Sequence, residues 1–439
     1  MKKQTFILNT LLATALIAAS DGLHGHIAAA DTADRTPPVV SAAANSTVLV
    51  LKPLWRAQTN GIGLYDTKAP VSGNLVYYAA SGKLIAADLS TGKVKWSIPG
   101  GQYPEVITNN SVFYITSSGN LVRADAQSGK ITWKVKGVNP FSELGAHAEL
   151  VNGTLIYFNE HGGLAAYNPA NGKKKWENKS LPMYASSLVG QYDGVLIVSS
   201  TVDNYRKQFF GLDPATGRQR WRTEGAYSFL GYRNGQLIMR QQPDLSKVAS
   251  STAAPGYLVT LVQLSSRTGK VTRTENYTPL DNVSRLGNSF TATTGPYLYT
   301  ADGNLDRNEA ILRRYTLGQD SNAQPVSYEP YGNWLAGPNN GVAFFAKGTE
   351  LIGVKTSSLD AISYGSFPSP VSRVQTAGKG IFASLDNGDL YLIEAATGKR
   401  LGCILTNVTE IGSVYTVKGT LLIQTNKGLF AAALPKSLK

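Results

Sequence analysis

The chain has 439 residues, 42% of them hydrophobic and 16% charged, with a formal net charge of +13. That much apolar material can bury a large core, and the positive balance favours anionic polymers or head groups as partners. The single cysteine, Cys403, excludes an internal disulfide, and its strand-like surroundings read as a buried, inert thiol.

Taken in chain order, Lys2 and Lys3, the apolar run from Phe6 to Ala19 and the small residues Ala28 and Ala30 read as a secretory signal peptide over residues 1–30. The apolar run is too short for a spanning helix, so no transmembrane segment is expected after cleavage. No cysteine lies near the cleavage pattern, so a lipoprotein is not expected, and export removes nucleic acid as a partner. Residues 31–47, rich in Ala, Pro, Ser and Thr, read as an unstructured lead-in, and residues 48–439 as one domain.

The rest of the chain is organised by a repeated corner. Ala87 to Trp96 (ADLSTGKVKW) recurs as ADAQSGKITW, YNPANGKKKW and LDPATGRQRW, ending at Trp133, Trp176 and Trp221. An Asp or Asn bonds the turn's own amides, the glycine takes the positive φ that closes it, and an outgoing strand follows. The turn glycines Gly92, Gly129, Gly172 and Gly217 recur roughly every 40 residues, the signature of a β-propeller blade. Trp at a fixed point of each unit predicts packing between blades by Trp55, Trp96, Trp133, Trp176 and Trp221.

These corners resemble those of the pyrroloquinoline-quinone-like repeat family, whose blades carry the same Asp, Gly and Trp. The likeness is strong over residues 48–225 and weaker to the end. It implies an all-β fold, a single β-propeller of eight four-stranded blades, although a hairpin count along the sequence reaches nine. The fifth unit keeps Gly269 but has Ser265 and Arg273 where Asp and Trp stand elsewhere. Two units without the tryptophan follow, at 297–317 and 342–356, and Trp334 falls on an inner strand. The last corner, Glu394 and Gly398, has Gly402 in the tryptophan position. Residues 48–55 have outgoing-strand character without a hairpin, and 420–434 form a hairpin without an outgoing strand. Pairing of the two would close the ring and remove its free edges.

Candidate chemistry is sparse. Asp302, Asn304, Asp306 and Asn308 place oxygen ligands on alternate residues, as a calcium loop requires, but Arg307 and Arg313 stand where Gly and a bidentate Glu are needed. A plain polar hairpin loop is the competing reading. Outside the leader the histidines are His147 and His161, without zinc-ligand spacing or a Ser–His relay. Quinoprotein dehydrogenases, which share the repeat, carry a catalytic Asp, a calcium site under the quinone and a disulfide of adjacent cysteines; one cysteine cannot supply that disulfide, and the acid and calcium ligands align with no particular residue.

The expectation is therefore an exported, non-catalytic, monomeric propeller, at the cell surface or in the periplasm, that binds a protein or an anionic envelope polymer and needs no cofactor. It is similar in architecture to the propeller component of the outer-membrane β-barrel assembly machinery, which carries a lipid-attachment cysteine. The alternative is a quinone-dependent dehydrogenase or a polysaccharide-active enzyme with its site in the central funnel. Enlarged loops at 203–207 (Asp203, Asn204, Tyr205, Arg206, Lys207), 243–255 and 302–309 mark the candidate binding face. The basic clusters Lys173, Lys174 and Lys175, and Arg206, Lys207, Arg218, Arg220 and Arg222, mark a second candidate, for anionic docking.

Overall fold

The computed structural model describes residues 39–41, 48–61, 68–108, 110–137, 146–159, 163–182, 185–201, 207–242, 257–280, 289–304, 309–319 and 324–439. In units one to four the second strand is a short, largely apolar run, which suits a strand covered on both faces. In the first unit this is Leu75–Ala80, buried at every position, followed by Lys83–Asp88 and then by Val94–Pro99, of which only Ile98 is fully buried. Burial therefore falls toward the outer strand, as it does when sheets pack face to face around an axis and leave their outer edges wet.

Four-stranded antiparallel meanders follow one another over 71–99, 101–135, 146–178, 185–222, 227–280, 289–327, 333–366 and 371–405, and are called units one to eight. Unit nine joins strands from both ends of the chain: Trp55–Gln58 pairs antiparallel with Gly428–Ala433, Trp55 opposite Ala431 and Gln58 opposite Gly428. Among the described residues the strands form eight hydrogen-bonded sheets, in the arrangement of a β-propeller. The eight sheets and the nine four-stranded units correspond to the two counts read from the sequence. One sheet is eight-stranded and holds units four and five, joined by the single pair Lys207 and Tyr227, and this is how the hairpin count reaches nine.

The core lies between successive units. Tyr77, Leu84 and Ile98 of unit one pack on Val112, Tyr114 and Val122 of unit two, and the Tyr77 hydroxyl donates to the Ala126 carbonyl at 3.0 Å. Among the described residues no helix is long and apolar enough to cross a membrane. One expectation is corrected. Inside the lead-in read as unstructured, Val39–Ser41 forms a strand parallel to the outer strand Ala361–Ser366 of unit seven. Two adjacent β-branched residues suffice for a strand once an unpaired edge lies alongside. The signal-peptide residues 1–30 lie outside the described residues.

Candidate functional site

The repeated corner is built from its first residue. The Asp88 carboxylate accepts the hydroxyl of Ser90 at 2.6 Å and the backbone N–H groups of Ser90 and Thr91 at 3.1 and 3.0 Å. The hydroxyls of Ser90 and Thr91, with those amides, hold Asp88 down to about 2. Gly92 then takes a φ of 70°, and a Cβ there would lie 2.7 Å from the Trp55 ring, so the position requires glycine twice over. Each tryptophan comes from the preceding unit and donates its Nε1–H to the residue that follows the corner's first residue. The series runs Trp55 to Leu89 at 2.8 Å, Trp96 to Ala126 at 3.1, Trp133 to Pro169 at 3.1, Trp176 to Pro214 at 2.9 and Trp221 to Ser266 at 3.0. The rings lie over Gly92, Gly129, Gly172, Gly217 and Gly269 in turn. Gly398, with a φ of 71°, closes the last corner through its N–H to the Glu394 carbonyl.

Where the tryptophan is missing, other groups occupy the joint. Between units five and six, Arg273 stands in the tryptophan position: its Nε bonds Glu275 at 2.8 Å, the same carboxylate accepts the Gly318 N–H at 3.2 Å, and the guanidinium lies against Gly318. Between units six and seven the Tyr331 hydroxyl donates to the Leu359 carbonyl at 3.0 Å, Leu359 holding the positive φ that glycine holds elsewhere. Between seven and eight, the Arg400 guanidinium lies 4.0 Å from the Phe367 ring and donates to the Tyr364 and Ser366 carbonyls at 2.8 Å. At Gly402 the Leu51 side chain, from the segment before the first unit, takes the tryptophan's place.

The innermost strands carry groups that sequence reasoning did not single out. Glu105, on Gly101–Ile107 of unit two, accepts the Ala148 N–H at 3.3 Å and lies 3.3 Å from His147 Nδ1, both on Ala146–Val151 of unit three. Glu149 is two residues along the same strand. Solvent reaches it, but the surrounding chain hydrates a carboxylate poorly, and this pushes its acid up to about 7; His147 opposes the shift and Glu105 adds to it. Gln375 ties units eight and nine in the same layer, donating to the Gly412 carbonyl at 2.8 Å and accepting the Val414 N–H at 2.9 Å.

Of the predicted loop residues, Asp203, Asn204, Tyr205 and Arg206 lie outside the described residues, whereas Lys207 is exposed at the junction of units four and five. Asp302 and Asn304 sit on the strand Tyr297–Asn304, opposite Ile311 and Glu309; their side chains, with Asp306 and Asn308, fall outside the described residues, as does His161. Among the described residues no group of His, Cys, Asp and Glu could hold a metal ion. The quinone clamp of the resembling enzymes does not fit this chain either. Cys403 stands on the outer strand Arg400–Leu405, tied through its backbone to Leu49 and Leu51, and burial pushes its thiol up to about 11. The basic runs are exposed, and part of each is paired: Lys174 with Glu177 at 2.8 Å and Arg220 with Asp213 at 2.5 Å, leaving Lys173, Arg218 and Arg222 on the same outer rim.

A family model described as outer membrane protein assembly factor BamB matches residues 52–202. Over those residues the chain is a pyrroloquinoline-quinone-like repeat protein. The match spans the corners that end at Trp96, Trp133 and Trp176. Similar solved structures include the computationally designed protein Ika8, at 10% identity over 89% of this chain and 100% of that one, TM-score 0.48. BamB from Moraxella catarrhalis is 12% identical over 75% and 93% of the two chains, TM-score 0.43. Quinohemoprotein alcohol dehydrogenase from Comamonas testosteroni is 13% identical over 88% and 78%, TM-score 0.43. No curated protein sequence matches the chain.

Proposed function

We propose that the chain is an exported, non-catalytic, monomeric propeller that binds or scaffolds protein partners in the cell envelope, exported by the leader at 1–30 and not lipid-anchored. The observation that carries this reading is the match of residues 52–202 to a family named for an assembly factor of outer membrane proteins. The placement of the one thiol supports it: Cys403 is buried in an outer strand. Residues 203–207, the last of which pairs with Tyr227 where units four and five meet, are the proposed contact face, and the exposed cations Lys173, Arg218 and Arg222 suit an anionic envelope polymer as a second ligand.

The test is capture from native envelope extract by the immobilised mature chain, beside a variant whose residues 203–207 are replaced by a short Gly-containing turn. The expected result is a defined protein retained by the first and lost from the second at unchanged melting temperature. Dye-linked oxidation of alcohols or sugars on addition of pyrroloquinoline quinone and calcium would overturn the proposal.

A further inference from the structure

The outer strand of a propeller blade is a sheet edge, and an unguarded edge recruits extended chains. Most of the outer edges here are guarded by exposed cations: Lys95 on Val94–Pro99, Lys134 on Ile131–Val135, Lys174 and Lys175 on Lys174–Asn178, Arg220 and Arg222 on Gln219–Arg222, Arg273 on Val271–Leu280 and Arg56 on Trp55–Gln58. The outer strand of unit six is two residues long, Val326–Ser327, and offers little edge. Two edges remain. Unit seven ends in Ala361–Ser366, AISYGS, without a charge. Unit eight ends in Arg400–Leu405, RLGCIL, whose one cation turns away to stack on Phe367.

These two edges are the ones that the segment before the first unit covers. Val39, Val40 and Ser41 pair in parallel with Ala361, Ile362 and Ser363. Further on, Val50 bridges Cys403 in parallel, the Cys403 N–H donating to Leu49 at 2.9 Å and the Leu51 N–H to Cys403 at 2.8 Å. The two covers differ in anchorage. Leu51 packs into the core at Gly402, whereas Val39–Ser41 is a three-residue strand.

We propose that the edge of Ala361–Ser366 is a β-augmentation site for an extended, uncharged peptide rich in β-branched residues and running parallel to it, and that Val39–Ser41 is its resident, displaceable occupant. Main-chain hydrogen bonds supply the attraction in this mode, and the missing charge on the edge selects against charged strands. The occupant in the same chain lowers the fraction of molecules open to a partner, so removing it raises the apparent affinity of any peptide that uses the edge. The site lies on unit seven, whereas residues 203–207 belong to unit four, so its test is independent of the function proposed above.

The probe is a labelled synthetic peptide of residues 36–44, TPPVVSAAA, titrated into the mature chain and into a V39P/V40P double variant, whose prolines supply no N–H to the edge. The peptide should bind the variant at least about tenfold more tightly than the wild type. A peptide carrying Val40→Lys should bind neither. Hydrogen exchange gives the second readout: the amides at 361–363 should lose protection in the variant and regain it on adding the peptide. Equal binding to both proteins, absence of binding up to about 1 mM, or unchanged protection at 361–363 in the variant would each overturn the proposal.

Discussion

Replacing Trp176 by alanine tests the joint between units three and four. The side chain is 8% exposed, lies over Gly217, packs with Leu196 and Leu212, and donates to Pro214. Truncating a buried aromatic of this size costs about 3–5 kcal/mol, and the bond to the Pro214 carbonyl accounts for about 1 kcal/mol of such a loss. Against a total stability of about 5–15 kcal/mol this is a large fraction. Trp176→Phe keeps most of the ring and loses the donor, so it should lose only about 1 kcal/mol from the hydrogen bond plus a smaller packing term. Trp96 and Trp133 are half-buried in the corresponding position, so their alanine variants should fall below Trp176→Ala. Urea denaturation followed by far-UV circular dichroism reads all four. An unchanged midpoint for Trp176→Ala, or a greater loss at Trp133 than at Trp176, would refute the packing argument.

Gly172→Ala meets both a φ of 70° and the Trp133 ring 2.9 Å from the new Cβ, whereas Gly153→Ala meets a φ of 72° and open space. The first should be the more destabilising, by about 1–3 kcal/mol for the backbone plus the clash, and equal midpoints would remove the ring from the account. Deleting residues 31–47 should lower the melting temperature modestly, because Val39–Ser41 is lost, while deleting 31–58 also strips Trp55–Gln58 from Gly428–Ala433 and should give aggregation in size-exclusion chromatography. The Glu149 acid is raised to about 7, so the folded state holds its proton where the unfolded chain has released it. Stability from this group is present below the ordinary carboxylate range and falls as pH rises to about 7; Glu149→Gln should flatten that slope and gain most over the wild type above pH 7, and parallel melting curves from pH 4 to 8 would contradict it.

The corners were legible because their chemistry is local and repeated. Asp88, Gly92 and Trp96 lie within one turn and one strand, and the requirement for each is visible in four successive copies. Pairing of the two ends was legible only in part: 420–434 does lack an outgoing strand, but the strand that pairs with it is Trp55–Gln58, and of the expected 48–55 only Trp55 belongs to it, Val50 bridging Cys403 of unit eight instead. The Glu105 and His147 contact was not legible, because its partners are 42 residues apart on different units and belong to no repeat. Its one trace in the sequence is a pair of isolated acidic residues, Glu105 and Glu149, on strands that form the innermost layer. Val39–Ser41 was hidden by composition: two strand-forming valines in an Ala-, Pro- and Ser-rich segment carry no period, and the edge they pair with is more than 300 residues away along the chain.

The joints also divide the molecule unevenly. From unit nine through units one to five, every successive pair is locked by a tryptophan ring on a glycine, a contact that is apolar, repeated and insensitive to salt. From unit five to unit nine the locks are the Arg273 and Glu275 pair, the Tyr331 hydroxyl, the Arg400 guanidinium and the Leu51 side chain, three of them directional and polar. Polar locks contribute less net free energy than a buried indole, because their groups were already well solvated before they paired. It is within this half that the chain lays its own N-terminal segment across the outer edges of units seven and eight. The same stretch, residues 39–58, then supplies Leu51 to the joint after unit eight and Trp55 to the joint before unit one. Where the tryptophan is lost at Gly402, Leu51 fills its place, so residues ahead of the first unit serve a joint that kept the tryptophan, through Trp55, and one that lost it, through Leu51.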